Sequence, residues 1–285
     1  MKYLGASISP KKLSKSHQEA MVHKAMARID GWAGKEISRA GKMVLLNSVM
    51  RSLPMHTLSS SWINEGVIDK FQGLARSYLW SFKGKKKRFH LIGWNKVLLR
   101  KNSGGLGVKD LGIMRHSIHA KRILPFLNKE RNIWSKMLLN KYDGYHPWYP
   151  KSNKSFSRSF KCIHNAIQML KEGLRVRIGN GTRVDMWKDP WLSNLPINLW
   201  STYLNMEIIS RFNRVSQLIK NNSWDYDSIL DLFGEHHLIN FDLMYLPKRK
   251  TKDKWVWSVN EELSCKVTYN YLAEKQFKTE ENKVS

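Results

Sequence analysis

The sequence predicts a mainly α-helical protein with a small β-hairpin and a truncated α+β unit at its C-terminal end. Three observations carry that expectation. Apolar residues recur every three or four positions through most of the first 170 residues, the period of an amphipathic helix. A Gly-Asn-Gly sequence at Gly179 to Gly181 separates two stretches of alternating character, a hairpin signal. From Trp255 onward the texture changes from strand-like to helix-like within about twenty residues. A content of 42% hydrophobic residues, with 12 Trp and 10 Phe, is enough to build packed cores and excludes a disordered basic tail.

The first helix spans Ser14 to Trp32, with Met21, Ala25, Ile29 and Trp32 on one side and Ser14 or Ser16 as the cap. A second runs from Ser38 to Ser52, its apolar face formed by Ala40, Val44, Leu45, Val49 and Leu53 and its end set by Pro54. The most regular helix extends from Val67 to Phe82 and buries Val67, Ile68, Phe71, Leu74, Ala75, Tyr78, Leu79 and Phe82. A short helix at Trp94 to Leu99 is followed by a turn, Lys101 to Gly107, in which glycines adopt positive φ. Helices follow at Asp110 to Leu127, Trp134 to Tyr142 and Phe160 to Leu170, with a rigid aromatic loop, Tyr145 to Pro150, between the last two. The hairpin covers Arg175 to Trp187, and the chain closes with a strand at Trp255 to Trp257, a Glu-rich turn and a helix. Domain limits are expected at 1–170, 171–200 and 201–285, because Pro190 and Pro196 interrupt the pattern near 191–200.

Charge points to a partner. The net charge is +26, and residues 1–200 carry all of it, with 37 Lys and Arg against 11 Asp and Glu; residues 201–285 hold 12 of each. That excess implies a polyanion bound by the first 200 residues. Three groups are candidates for phosphate contact. Lys35, Arg39 and Lys42 recur at intervals of four and three and form one stripe, which could equally be a solvated helix face. Lys83, Lys85, Lys86, Lys87 and Arg88 crowd one loop beside Trp80, Phe82 and Phe89, where cations could hold phosphates while rings stack on bases. A nuclear-localisation patch or a solvated loop are the alternatives there. Alternation places Arg175, Arg177 and Arg183 on one face of the hairpin, which either lies along a nucleic-acid backbone or caps a helical domain.

Other chemistry finds no support in the residues. Cys162 and Cys265 stand alone, which argues against a disulfide framework or a Cys-rich metal site and favours a reducing nuclear or cytoplasmic setting. No apolar run suits a signal peptide or membrane span. The three glycines at 104–107 lack the Lys-Ser/Thr pair and the strand context of nucleotide loops. The ten His are scattered, and Asp225 and Asp227 read as a solvated helix start. We therefore expect no cofactor, no metal site, no small-molecule substrate and no catalytic residue; oligomeric state is not legible.

The order of several short motifs resembles the region after the active site in plant non-LTR, LINE-type reverse transcriptases. Tyr3-Leu4-Gly5 looks like the box that closes the palm. Trp32, then Ile37-Ser38-Arg39-Ala40-Gly41-Lys42, then Leu53-Pro54 resemble its "W…LS.AG+…S.P" signature. Phe71 to Trp80, His90 to Trp94 and Gly104-Gly105-Leu106-Gly107 match "LW…H…W…GGLG". Lys141-Tyr142, Ile178 to Gly181, Trp187 and Asp189-Pro190-Trp191 follow "KY" and "IGNG…W.D.W", and Trp257 with Lys266 to Tyr269 looks like the start of the family's zinc-binding domain. Val184-Asp185-Met186-Trp187 departs from the usual Arg-Phe-Trp-like run. The resemblance implies a helical, thumb-like region that grips an RNA–DNA hybrid or DNA without reading its sequence. It also implies a fragment of an RNA-directed DNA polymerase without catalysis, because the Tyr-Ala-Asp-Asp box that holds the metal ions does not occur. A degenerate reading frame with no retained activity is the alternative. The apolar residues Tyr3, Leu4 and Ile8 would then form an exposed patch in the absence of a palm.

Overall fold

The computed structural model describes residues 2–3, 6–7, 15–32, 35–81, 92–150, 156–200, 211–247, 251–258 and 262–284. In chain order these form β1 (Lys2–Tyr3), β2 (Ala6–Ser7), α1 (Lys15–Trp32), α2 (Arg39–Leu45), α3 (Met55–Ser60), α4 (Glu65–Trp80), α5 (Trp94–Leu98) and α6 (Leu111–Ala120). Then come α7 (Ile123–Leu127), α8 (Ile133–Tyr142), α9 (Arg158–Leu170), β3 (Leu174–Arg177), β4 (Ile219–Lys220), β5 (Ser223–Trp224), α10 (Tyr226–Phe233), α11 (Leu238–Asp242), β6 (Lys254–Trp257) and α12 (Cys265–Val284). The protein is mainly helical, as the periodicity predicts, and its strands occur only as antiparallel pairs. Leu4 and Ile8 of the expected apolar patch, and the side chain of Tyr3, lie outside the described residues.

Two compact units draw on distant parts of the chain. The first comprises Met1–Lys121, Asn153–Ala166 and Ser264–Ser285; the second comprises Arg122–Ser152 and Ile167–Leu263. In the first unit α1 and α2 pack on α4, which packs on α6, and α12 runs along α6. Of the expected core of α4, Val67, Ile68, Phe71, Ala75, Tyr78 and Leu79 are buried and Leu74 is half-buried, while Phe82 lies outside the described residues. Polar groups fasten these elements together. Gln18 of α1 accepts from the Asn64 N–H at 3.0 Å and so caps the entry to α4. Arg115 of α6 is buried with its guanidinium on the Ile63 carbonyl at 2.7 Å and on Glu65 at 2.6 Å. The turn after α5 has Gly104 at φ +76° and Gly107 at φ +70°, as its composition predicts.

The helix expected over 38–52 is present with a different buried face. Ser38 caps α2 by accepting from the Gly41 N–H at 3.1 Å, but from Leu46 to Met50 the helix widens into a π turn, closed by Arg51 N–H to Leu46 O at 3.1 Å. The buried residues are Lys42, Leu46 and Met50, whereas Val44 is 65% exposed. Spacing alone favoured the more numerous apolar side chains; packing selected the set four residues apart that faces α4. The run from Asp110 to Leu127 is likewise two helices, α6 and α7, separated by a turn at Lys121 and Arg122.

The second unit is built on an aromatic core in which Trp191 stacks on Trp224 at 6.2 Å and Phe241 contacts both rings edge-on. Here the expected hairpin is corrected. β3 does not pair across Gly-Asn-Gly; it pairs antiparallel with β6, with Leu174 opposite Trp257 and Arg177 opposite Lys254. The Asp253 carboxylate explains the change. Its Oδ1 accepts from the Gly179 and Gly181 N–H groups at 2.7 and 2.8 Å, and its Oδ2 accepts from the Arg183 N–H at 3.0 Å. Successive N–H groups aimed at one anion form a nest rather than a ladder. Gly181 is required in it: its φ is +68°, and a Cβ there would lie 2.6 Å from the Ser216 nitrogen. A hairpin does exist downstream, β4–β5, turning through Asn221 and Asn222 at φ of 49° and 61°. The expected strand at 255–257 is real, but it joins the second unit while α12 joins the first.

Candidate nucleic-acid interface

In the second unit the β3–β6 ribbon carries several cations on one face. Alternation buries Leu174 and Val176 beneath it and leaves Arg175 and Arg177 on the other face. Register adds Lys254 directly opposite Arg177, and Val256 opposite Arg175. The two cations therefore stand side by side across the antiparallel pair, close enough for one anion to meet both. Arg175 is held in place by donating from Nη2 to the Leu192 carbonyl at 3.0 Å, and burial lowers its pKa from the ordinary guanidinium value.

This ribbon face borders an open groove of about 900 Å³. Arg175, Arg177, Lys252 and Lys254 line it, with no Asp or Glu among its described lining residues. The apolar floor includes Trp191 and Trp257, and Tyr245, 73% exposed, stands at its edge. Asp253, which lies between the two lysines in sequence, is withdrawn into the glycine nest, so its charge is satisfied by backbone N–H groups. Cations along a groove with an exposed aromatic ring can hold phosphates and stack a base.

The other sequence candidates fall differently. Arg183 is exposed but lies beyond the nest, off the ribbon; its carbonyl accepts from Arg214 Nη1 at 3.2 Å. Of the stripe at 35–42, Lys35 and Arg39 are exposed, with the Arg39 guanidinium 5.9 Å from the Trp80 ring centre. Lys42 departs from that stripe. It is buried, donates to the Ser81 carbonyl and, at 3.0 Å, to Ser81 Oγ, and lies 5.4 Å from the Tyr78 ring centre. It thus caps the C-terminal end of α4, where a helix dipole favours a cation. Trp80 is itself buried and not placed to stack on a base. Lys83, Lys85, Lys86, Lys87 and Arg88, with Phe82 and Phe89, lie outside the described residues.

Lys252 and Lys254 were missed because residues 201–285 sum to zero charge. A shorter window would have found them: Lys248, Arg249, Lys250, Lys252 and Lys254 place five cations around the single Asp253. The "W.D.W" element proves to be a scaffold. Asp189 accepts from the Asp185 N–H at 2.7 Å and meets His146 Nε2 at 2.8 Å, while the Trp187 and Trp191 indoles donate to the Phe212 and Met186 carbonyls at 2.6 and 2.8 Å. This ties the aromatic loop at 145–150 to the groove floor.

The chain is 28% identical over 193 residues to the Arabidopsis thaliana protein named "Putative ribonuclease H protein At1g65750", matching 66% of this chain and 31% of that one. It is 24% identical over 149 residues to "Uncharacterized mitochondrial protein AtMg00310" of the same plant, matching 50% of this chain and 93% of the relative. The chain thus spans about a third of the first relative and nearly all of the second. No family model matches it. The similarity is distant and partial.

Asp225 and Asp227 do not form a metal site among the described residues. Asp225 is ion-paired to Lys220 at 2.6 Å and accepts from Ser228 Oγ at 2.6 Å; the lysine and the serine together lower its pKa. Among the described residues, no three or more His, Cys, Asp or Glu side chains gather as metal ligands would, and no helix is long and apolar enough to cross a membrane. Cys162, buried, and Cys265, exposed, form no disulfide.

Proposed function

We propose that this chain is a non-catalytic part of a LINE-type reverse transcriptase that holds the backbone of an RNA–DNA hybrid or DNA without reading its sequence. The observation that carries the reading is the β3–β6 ribbon. It sets Arg177 opposite Lys254, with Arg175 and Lys252 on the same groove, and the Asp253 carboxylate between the two lysines in sequence is drawn into a nest of N–H groups. A pair of neighbouring cations over an apolar floor suits a phosphodiester, whose single negative charge can accept hydrogen bonds from both. The net charge of +26 supports the reading, as does the ordered set of family-like motifs. The ribonuclease H name borne by the longer relative fits the same enzymatic setting. Lys35 and Arg39, exposed on the helical unit, are further candidates for phosphate contact, as is the basic run at 83–88.

The test is fluorescence anisotropy with a labelled RNA–DNA hybrid across a salt series, with duplex DNA and heparin as competitors. We expect log K to fall linearly with log salt by ~0.9 per phosphate contacted, and heparin to compete less well than hybrid at equal charge. Arg177→Glu with Lys254→Glu should weaken binding at least about tenfold and reduce the slope by ~2. If every polyanion competes equally, and neither that variant nor charge reversal at Lys85, Lys86 and Lys87 changes affinity, the chain is a degenerate reading frame with an incidentally basic surface.

A further inference from the structure

A second cationic pocket lies wholly within the helical unit, in a place that the groove does not explain. After α5 the chain folds back on itself, with Gly105 N–H on the Arg100 carbonyl at 3.0 Å and Gly107 N–H on the Leu99 carbonyl at 2.8 Å. The turn is closed tightly enough that a Cβ on Gly105 would lie 2.1 Å from the Leu99 oxygen. It presents Arg100 and Lys101 to α12, whose Tyr269, Ala273 and Glu274 form the opposite wall of a cavity of about 230 Å³. Lys109 completes the lining, its ammonium 4.2 Å from the centre of the Tyr269 ring. Tyr269 is itself fixed, its hydroxyl accepting from the Asp110 N–H at 2.8 Å.

The charge balance of this pocket is one-sided. Glu274, its one acidic lining residue among those described, is 63% exposed at the rim and pairs with Arg100 at 3.1 Å. The neighbouring Asp110 carboxylate is turned to cap α6, accepting from the Ile113 N–H at 3.0 Å. Burial first, and then the repulsion of Arg51, Arg100 and Lys266, lower the pKa of Lys109, against an opposing pull from Cys265. Cations that repel one another around a cavity, with aromatic and glycine walls holding them there, leave a positive potential for a ligand to neutralise.

We propose that the pocket formed by Arg100, Lys101 and Lys109 against Tyr269 binds a compact phosphate dianion, either free orthophosphate or the terminal phosphate monoester of a nucleic-acid strand. Its volume, that of about eight waters at roughly 30 Å³ each, admits a phosphate with the sugar attached to it but excludes a duplex. The site stands apart from the β3–β6 groove and does not depend on it.

Isothermal titration of the full chain at fixed ionic strength tests this, with orthophosphate, a 5′-phosphorylated dinucleotide and its 5′-hydroxyl counterpart as probes. Saturable binding of phosphate is expected. Lys109→Met keeps the aliphatic packing on Tyr269 and should weaken it at least tenfold. Glu274→Gln removes the competing anion and should tighten it several-fold, a gain that damage to the fold cannot imitate. Lys96→Gln, on the exposed side of α5, and Arg177→Glu, in the groove, should leave it unchanged. Tighter binding of the 5′-phosphorylated than of the 5′-hydroxyl dinucleotide, beyond free phosphate, assigns the site to a strand end; equal binding of phosphate and the phosphorylated dinucleotide assigns it to the free ion. The proposal is overturned if phosphate gives no saturable heat, or if Lys109→Met and Glu274→Gln bind no differently from Lys96→Gln.

Discussion

At the scale of single residues, three charged or titratable side chains hold structure that their neighbours in sequence do not announce. Asp253 satisfies three N–H groups of the glycine segment. Asp253→Ala would leave them without an acceptor and is expected to cost about 2–4 kcal/mol, read as a lower denaturant midpoint. Asp253→Asn should cost roughly half as much, because one oxygen can still receive the two bonds made by Oδ1. Lys42 reads in sequence as a phosphate contact and is instead the cap of α4. His116 packs edge-on against Trp62 at 5.2 Å, and burial, aided by Arg115 and opposed by the Asn165 backbone, pulls its pKa from 6.5 to about 4. Since the unfolded chain binds the proton more readily, this contribution is complete above about pH 6.5 and is lost as pH falls toward 4. Its size is on the order of 3 kcal/mol. Chemical denaturation at pH 7.5 and 5 should show the difference, and His116→Gln should flatten it; identical profiles for the two proteins would sink this account.

At the scale of elements, helix existence was legible and helix faces were only partly so. α4 carries a long stripe of large apolar side chains, so one orientation buries far more surface than any other. α2 offers two competing stripes, and the π turn at Leu46–Met50 rotates the second half so that Lys42, Leu46 and Met50 share a face. The strand at Leu174–Arg177 was equally visible, but its partner was not. Pairing across Gly-Asn-Gly closes a short loop, whereas pairing with β6 closes one of some seventy residues, at an extra entropy cost of only about 2–3 kcal/mol. The nest around Asp253 and the fully buried Trp257 offset that cost. The cross-strand pair leads to a further expectation: Arg177→Thr should weaken nucleic-acid binding by roughly threefold or more and lower the salt slope by ~1. Unchanged affinity and slope in that variant would remove Arg177 from the contact.

At the scale of the whole molecule, the compact units do not follow blocks of sequence. β6 supplies the only described pairing partner of β3, and α12 covers α6, so each unit takes a wall from the electrically neutral last third of the chain. A protein ending at residue 200 would retain the whole +26 charge and lose both walls. We expect it to bind polyanions without discrimination and to unfold without a cooperative transition. Circular dichroism during heating checks this, and a sharp transition in that protein would show that the helical unit needs neither partner.

The helical class, most of the amphipathic core of α4, the positive-φ glycines after α5 and the large positive charge are legible in the residues alone, because each depends on spacing, composition or local backbone sterics. The alternation of the β3 arginines is legible there too. Which cations face solvent depends on the fold. Lys42 is spent as a cap, Arg115 as a clamp, and Lys252 and Lys254 are recruited to β3 from a segment whose charges sum to nothing. The reason is range. Helical periodicity acts over a few residues, whereas the choice of strand partner and the burial of a charge depend on groups that are 39 or more positions apart and meet only when the chain has folded.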